Sequence, residues 1–333
     1  MASLKDIARE LNISVSLVSK VLNGRLGNTG VREGLSEAIR QQAAKMGYRK
    51  NRSALALLKN RQDVVGVFLH REGRLGSGLM EELIEGISEA ATAQGRRLLL
   101  GFFHSASGFE ELCKMAHRGT MDGLLVGGIT HPELTPTLRA IAQTGLPVVT
   151  IMQRHLHASL PNVAVDQVEI GRLGTQHLIE AGCRHIGHIR DFQERFQGYR
   201  QALREAGLPY RAPLVYGNTL DFGYAKGQAA ARHFLEKGIA LDGLFAQGDE
   251  EAVGAMNVFC DAGLKVPEDI RLVGVDNAPY AEFSRTPLSS VSQSSRERGA
   301  CAMRLLLDLL EEKPVSSAVV APRLVVRASS RKG

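Results

Sequence analysis

Apolar positions recur at helical spacing through the first fifty residues. Leu4, Ile7, Ala8 and Leu11 form one stripe, Val15, Val18, Val21 and Leu22 a second, and Leu35, Ile39, Ala43 and Met46 a third. The pattern predicts three short helices, the first over Lys5–Leu11 and the second over Val15–Leu22. Ser3 and Ser14 stand where N-caps belong, and Asn12 falls in a tight turn that needs a residue tolerant of positive φ. Gly24, Gly27, Asn28 and Gly30 mark a loop before the third helix. From Asp63 the texture changes, and short apolar runs alternate with helical patterns. The predicted strands are Val64–Leu69, Arg97–Phe102, Gly123–Val126, Pro147–Ile151 and Val163–Val165, then His185–Ile189, Leu214–Tyr216, Gly243–Ala246 and Leu272–Val275, with Ala318–Val320 and Leu324–Val326 at the end. Strand–helix alternation predicts an α/β fold of doubly wound parallel sheets. Two series of strands predict two similar lobes with a ligand cleft between them.

Charge sharpens this division. Residues 1–62 hold 12 basic and 4 acidic side chains, a net of +8, while the other 29 basic and 31 acidic residues leave the remainder at −2. A basic head on a near-neutral body suits a polyanion-binding module, although a solvated basic tail has the same signature. The 333 residues are 44% hydrophobic and 23% charged, an ordinary globular composition. Cys113, Cys183, Cys260 and Cys301 are too scattered for a zinc ribbon or a redox Cys-x-x-Cys, and fit thiols in a reducing compartment. The N-terminus lacks the pattern of a signal peptide and no apolar run has the length of a membrane span, so a cytoplasmic, nucleoid-associated protein is expected. No heptad tail follows the last strand, so a tetramer is not expected.

The first two helices have helix-turn-helix proportions, in which the second helix enters the major groove with its N-terminal residues at base edges. Val18 is expected to face the core, with Val15, Ser16 and Lys20 outward. Val15 suits a thymine methyl, Ser16 a base edge, and Lys20 guanine acceptors or a phosphate. Ser14 and Ser19 suit phosphates, which set register. An ordinary three-helix bundle has the same spacing. The residues themselves are more specific. Leu4-Lys5-Asp6-Ile7-Ala8 and the run Asn12 to Gly24, with Ala44-Lys45-Met46-Gly47-Tyr48 and Asn51-Arg52-Ser53-Ala54, resemble the N-terminal signature of the LacI/GalR family of repressors. Departures are Asn12 for the family's usual glycine, Lys50 for its proline, and a slightly long loop at 25–30. The resemblance adds Asn23, Asn51, Arg52 and Ala54 to the DNA-contacting set. It also implies that Leu57 is the residue a hinge helix inserts into the minor groove, where an apolar wedge unstacks a base step and kinks the duplex. The other reading of this segment is a disordered basic linker.

The resemblance runs on through the body, which is similar to periplasmic sugar-binding proteins. The matching segments include Arg195-Phe196-Gln197-Gly198-Tyr199, Gly248-Asp249 and Val273-Gly274-Val275-Asp276-Asn277. It implies a helix-turn-helix domain over 1–49, a hinge over 50–62 and an effector-binding, dimerising body over 63–333. Lobe crossovers are expected near Ala164, Ser292 and Pro322, giving an N-lobe of 63–164 with 292–322 and a C-lobe of 165–291 with 323–333. It further implies effector contacts by Arg195, Asp276 and Phe222. A guanidinium, a carboxylate and a ring suit a sugar or a nucleobase. On the residues alone, a salt bridge between Arg195 and Asp276 across the cleft and a core Phe222 are the favoured readings. Asp191 lies on a shortened segment between Ile189 and Arg195. Met152 stands where many members have a polar residue, and Leu79 and Met80 lie near a place where some use aromatics, which implies a more apolar or differently shaped pocket.

No dinucleotide-binding, Walker A, His-Glu-x-x-His or Gly-x-Ser-x-Gly pattern occurs, so no enzyme, cofactor or metal is expected. The expected partners are operator DNA, a sugar-like metabolite and a second copy of the chain, with no membrane. The alternatives are a DNA-binding regulator controlled by a protein partner, and a cytoplasmic ligand-binding protein or enzyme of the same fold.

Overall fold

The computed structural model describes residues 2–24, 31, 33–48, 61–70, 78–117, 119–128, 132–217 and 221–331. The chain separates into two compact units, Met1–Arg61 and Gln62–Gly333.

The first unit has helices α1 (Leu4–Glu10), α2 (Val15–Leu22) and α3 (Glu33–Lys45) among its described residues. Ser3 and Asp6 form a reciprocal capping box: the Asp6 N–H donates to Ser3 Oγ at 3.3 Å and the Ser3 N–H to Asp6 Oδ2 at 2.9 Å. With Ser3 as cap, Leu4 is the first helical residue, one earlier than the predicted start at Lys5. Ser14 Oγ accepts from the Leu17 N–H at 3.2 Å and starts α2. Between the two helices Asn12 adopts φ 51°, the turn its side chain tolerates. Ile7, Ala8, Val18, Val21, Ile39 and Ala43 close a small core.

The second unit begins with β1 (Val64–His70), α4 (Leu79–Ala93), β2 (Arg97–Phe103), α5 (Ala106–Cys113), β3 (Gly123–Gly127), α6 (Thr135–Gln143), β4 (Val148–Ile151) and β5 (Val163–Val165). It continues with α7 (Gln167–Glu180), β6 (Ile186–Arg190), α8 (Gln193–Glu205), β7 (Val215–Gly217), α9 (Gly223–Glu236), β8 (Gly243–Ala246), α10 (Asp249–Asp261), β9 (Arg271–Val275), α11 (Pro279–Glu282) and β10 (Ser289–Ser292). Last come α12 (Ser295–Leu310), β11 (Ala318–Val320) and β12 (Arg323–Val325).

Two main sheets result. One is parallel with order β2-β1-β3-β4. The other has order β12-β10-β9-β8-β6-β7 and is parallel except for β12, which runs against β10 with Ser290 opposite Val325. β5 and β11 pair in parallel as a separate ribbon, joined to β4 by a bridge between Thr150 and Asn162. The period-two alternation of β1 divides its side chains between two layers. Val65, Val67 and Leu69 pack with α4 and α12, and Phe68 packs with Phe109 of α5 and Leu138 of α6. The chain passes between the main sheets after β5, after β10 and between β11 and β12.

Sequence patterning did not predict β10, and the reason is chemical. Three of its four residues are serines, and their polar atoms are satisfied internally: Ser289 Oγ donates to the Arg327 carbonyl at 3.1 Å, and Ser290 Oγ to Asp249 Oδ1 at 2.6 Å. A search for apolar runs passes over a strand whose burial is hydrogen-bonded rather than hydrophobic.

Reciprocal glycines set helix spacing at two places that matter for the site. A Cβ on Gly171 of α7 would overlap the Arg195 carbonyl of α8, and one on Gly198 the Val168 carbonyl of α7. A Cβ on Gly86 of α4 would overlap the Arg296 carbonyl of α12, and one on Gly299 the Leu83 carbonyl of α4. Backbones approach this closely only where side chains are absent.

Candidate functional site

In the first unit, the outward face of α2 has the expected arrangement. Val18 is wholly buried, Val15 is 40% exposed, and Ser16 and Lys20 are exposed. No acidic residue stands in the first turn of α2, so nothing there repels a phosphate from the positive end of the helix. Ser14 is engaged as the N-cap, and Ser19 Oγ accepts from Asn23 Nδ2 at 3.2 Å, which ties two of the predicted contacts to one another. Asn51, Arg52, Ala54 and Leu57 lie outside the described residues.

In the second unit, the close approach of α7 and α8 puts Arg195 beside Gln167. Arg195 is buried at 3% exposure; its Nε donates to Gln167 Oε1 at 2.7 Å, a terminal nitrogen donates to the Gln247 carbonyl, and its plane lies over the Phe192 ring at 4.9 Å. Burial lowers its pKa, and Asp276 opposes that shift most. Asp276 follows β9 with φ 109°, a region that costs a non-glycine residue backbone strain. Its Oδ1 accepts from Gln293 Nε2 at 2.6 Å, and burial raises its carboxyl, with Arg195 opposing. No ion pair joins Arg195 to Asp276 among the described residues, so the salt bridge the residues alone allowed does not form.

Around this pair stand two buried acids that sequence reading did not single out, Asp249 and Glu251. Asp249 accepts from the Ala278 N–H at 2.7 Å and from Ser290 Oγ, fixing the turn that carries Asp276 against β10. Burial holds its carboxyl well above the usual carboxylate range. Glu251 accepts from the Gly223 N–H at 3.1 Å, and burial pushes it up to about 7. Asp191 accepts from the buried Lys226 ammonium and from the Gln247 side chain, so its carboxylate is engaged within the protein. Phe222 is the N-cap of α9 and 72% exposed, which removes the core reading of this ring.

Two expectations about the other lobe part ways. Leu79 and Met80 line a cavity of about 180 Å³ together with Leu69, Ile151, Gln153 and Gln293. Met152 does not: it is wholly buried in the layer of Phe68, Phe109 and Leu138. Asn162 clasps its backbone, with Oδ1 accepting from the Met152 N–H at 3.0 Å and Nδ2 donating to the Met152 carbonyl at 3.1 Å, and the half-buried Gln153 lines the cavity instead. Gln153 also lines a wider depression of about 620 Å³ with Gln167 and Phe192. Gln153 and Gln293 thus connect the cavity to the surroundings of Arg195 and Asp276. Sequence reading missed Gln153, Gln167, Gln247 and Gln293, because an amide carries no spacing signal. Among the described residues no cluster of metal-ligating side chains occurs, and no helix is long and apolar enough to cross a membrane.

This architecture has relatives. A profile of the periplasmic binding protein-like domain matches residues 175–330. The HTH-type transcriptional regulator CelR of Thermobifida fusca is 30% identical over 341 residues, covering 98% of each chain. The chain belongs to the LacI/GalR family of transcriptional regulators. Like other LacI/GalR proteins it is a regulator and not an enzyme. A CelR solved as a cellobiose complex superposes with a TM-score of 0.70 at 29% identity, covering 99% of this chain and 100% of that one. The Lac repressor dimer, solved on operator with the anti-inducer ONPF, superposes with a TM-score of 0.80 at 20% identity over 99% of each chain, a likeness of fold.

Proposed function

We propose that this LacI/GalR protein is a cytoplasmic repressor that binds a pseudo-palindromic operator as a homodimer and answers to a small, sugar-like metabolite. The observation that carries the DNA reading is the face of α2. Val15, Ser16 and Lys20 are exposed on a helix with no acidic first turn, in a head of net charge +8. Residues 1–49 read the major groove, 50–62 act as the hinge with Leu57 as the wedge, and 63–333 bind the effector and dimerise. Two heads on two half-sites require a two-fold assembly. In the body, Arg195 and Asp276 are the effector's polar anchors, with Leu79, Met80 and Gln153 on the opposite wall. Arg195 keeps terminal N–H groups beyond its two protein acceptors, and the strain at Asp276 fits a preorganised ligand site. The relative solved with cellobiose supports a saccharide-like ligand. Effector binding changes the lobe angle and thereby biases hinge order.

A thermal-shift panel of sugars, sugar acids, sugar phosphates, nucleosides and purines identifies the effector class, since a ligand of the native state raises the melting temperature with its concentration. Arg195→Ala is expected to abolish the effector's action on operator binding while operator binding itself persists. An effector response unchanged in that variant places the site elsewhere.

A further inference from the structure

The cavity under α12 contains a charge that the protein leaves uncompensated. Arg298 lines the cavity at 9% exposure, and its Nε is buried with no partner. No side chain or carbonyl among the described residues accepts from its guanidinium, and no carboxylate offsets its burial, which lowers it to about 10 and leaves it cationic at neutral pH. An uncompensated buried cation is costly, and buried polar groups normally find partners.

The same cavity meets the start of α12. Ser294 caps that helix in the left-handed region with φ 50° and makes no side-chain cap; its Oγ donates instead to the Ala321 carbonyl at 2.9 Å. The first α12 amide to find an acceptor is that of Arg298 itself, on the Ser294 carbonyl at 2.9 Å, and Ser295 lines the cavity. A long helix with an open first turn, beside an unpartnered guanidinium, is an anion receptor. The close packing of Gly86 and Gly299 fixes this end of α12 against α4.

We propose that this cavity is an anion subsite, in which Arg298 and the open turn of α12 receive a carboxylate or phosphate group of the effector. The inference rests on the cleft reading above, in which the same effector meets Arg195 and Asp276. The volume of about 180 Å³ suits one charged group with a few attached carbons. The apolar side chains of Leu69, Leu79, Met80 and Ile151 in its wall lower the local dielectric, which strengthens a charge pairing. Gln293, which touches Asp276 and lines the cavity, links the two halves of the ligand site. The effector is therefore an acidic saccharide or a saccharide phosphate, not a neutral sugar.

The test uses the full chain as wild type, Arg298→Leu, Arg298→Gln and Arg195→Ala, titrated with glucose and cellobiose as neutral probes, gluconate and glucuronate as carboxylates, and glucose 6-phosphate as a phosphate. Binding is followed by calorimetry and thermal shift. An anionic probe is expected to bind the wild type, to lose about 100-fold or more in affinity in both Arg298 variants, and to lose affinity in Arg195→Ala. The carboxylate and phosphate arms distinguish the two groups. Without ligand, Arg298→Leu is expected to melt no lower than the wild type, because it removes a stranded charge. A clearly lower melting temperature would reveal a partner within the protein and overturn the proposal. So would anionic probes that bind the wild type and the Arg298 variants alike, or bind none of them. A neutral sugar that needs Arg195 but is indifferent to Arg298 overturns the anion subsite and leaves the cleft reading standing.

Discussion

Arg195 shows how one residue type serves two ends. Two of its donors hold Gln167 and the Gln247 carbonyl, which fixes the plane of the guanidinium, and the rest are left for the effector proposed above. Lysine at this position would offer a point charge without that fork. Glu251 carries a consequence for pH. Its folded value of about 7 lies above the ordinary 4.5, so between these values the native state keeps a proton that the unfolded chain has lost. Stability linked to Glu251 is therefore full below about pH 4.5, falls as pH rises toward 7, and is then level. Glu251→Gln is expected to flatten this dependence by on the order of a few kcal/mol, measured by denaturant unfolding at pH 5 and 8. Equal slopes for the two proteins would contradict the assignment. At this scale the sequence was half legible. Arg195 and Asp276 stood out through the family signature, whereas the four glutamines around them did not. Met152 was misplaced because strand alternation carries on past β4: Val149 and Ile151 pack in the layer of α4 and α12, whereas Val148 and Met152 pack in the layer of Phe68 and Phe109.

Elements are positioned by contacts that a one-dimensional pattern records poorly. The α7–α8 spacing depends on Gly171 and Gly198, and each added Cβ would meet a backbone carbonyl that cannot rotate away. Gly171→Ala is expected to destabilise the body by about 1–3 kcal/mol and to weaken effector binding by shifting Arg195. Unfolding and ligand titration check both effects, and an unaltered melting temperature would show that the helices can part without cost. The hinge proposed for residues 50–62 has its own test at this scale. Leu57→Ala is expected to weaken specific operator binding much more than binding to random duplex, as measured by competition titration. Equal losses on both DNAs would remove the wedge role. Long helices, apolar strands and the Ser3 and Ser14 caps were readable because periodicity and capping are local. β10 was not, because its serines are buried by long-range hydrogen bonds to Asp249 and the Arg327 carbonyl.

At the scale of the whole molecule, the three passages of the chain between the two sheets let either lobe feel a change in the other. The Arg154–Glu194 ion pair joins the segment after β4 to the start of α8 and so ties the two lobes at the edge of the depression. Most of its gain is screened, because the arginine is well exposed. A weak tie of this kind leaves the lobe angle adjustable by a ligand, since a ligand moves an equilibrium only by its preference for one state. The division into a basic head and a neutral body was legible from charge alone, and the two-lobed α/β body from strand–helix alternation. The cavity at Arg298 was not, since nothing in a helical pattern marks which arginine lacks a partner.

As proposed above, this LacI/GalR chain reads DNA sequence as a two-fold assembly. Selection of bound duplexes from a randomised library, using the full-length protein at physiological salt, tests it most directly. Enrichment of one pseudo-palindromic sequence with two matching half-sites about a central step is expected, lost when Val15 and Ser16 are replaced together. Recovery of unenriched sequence after repeated rounds, or of a single unpaired half-site, would contradict it.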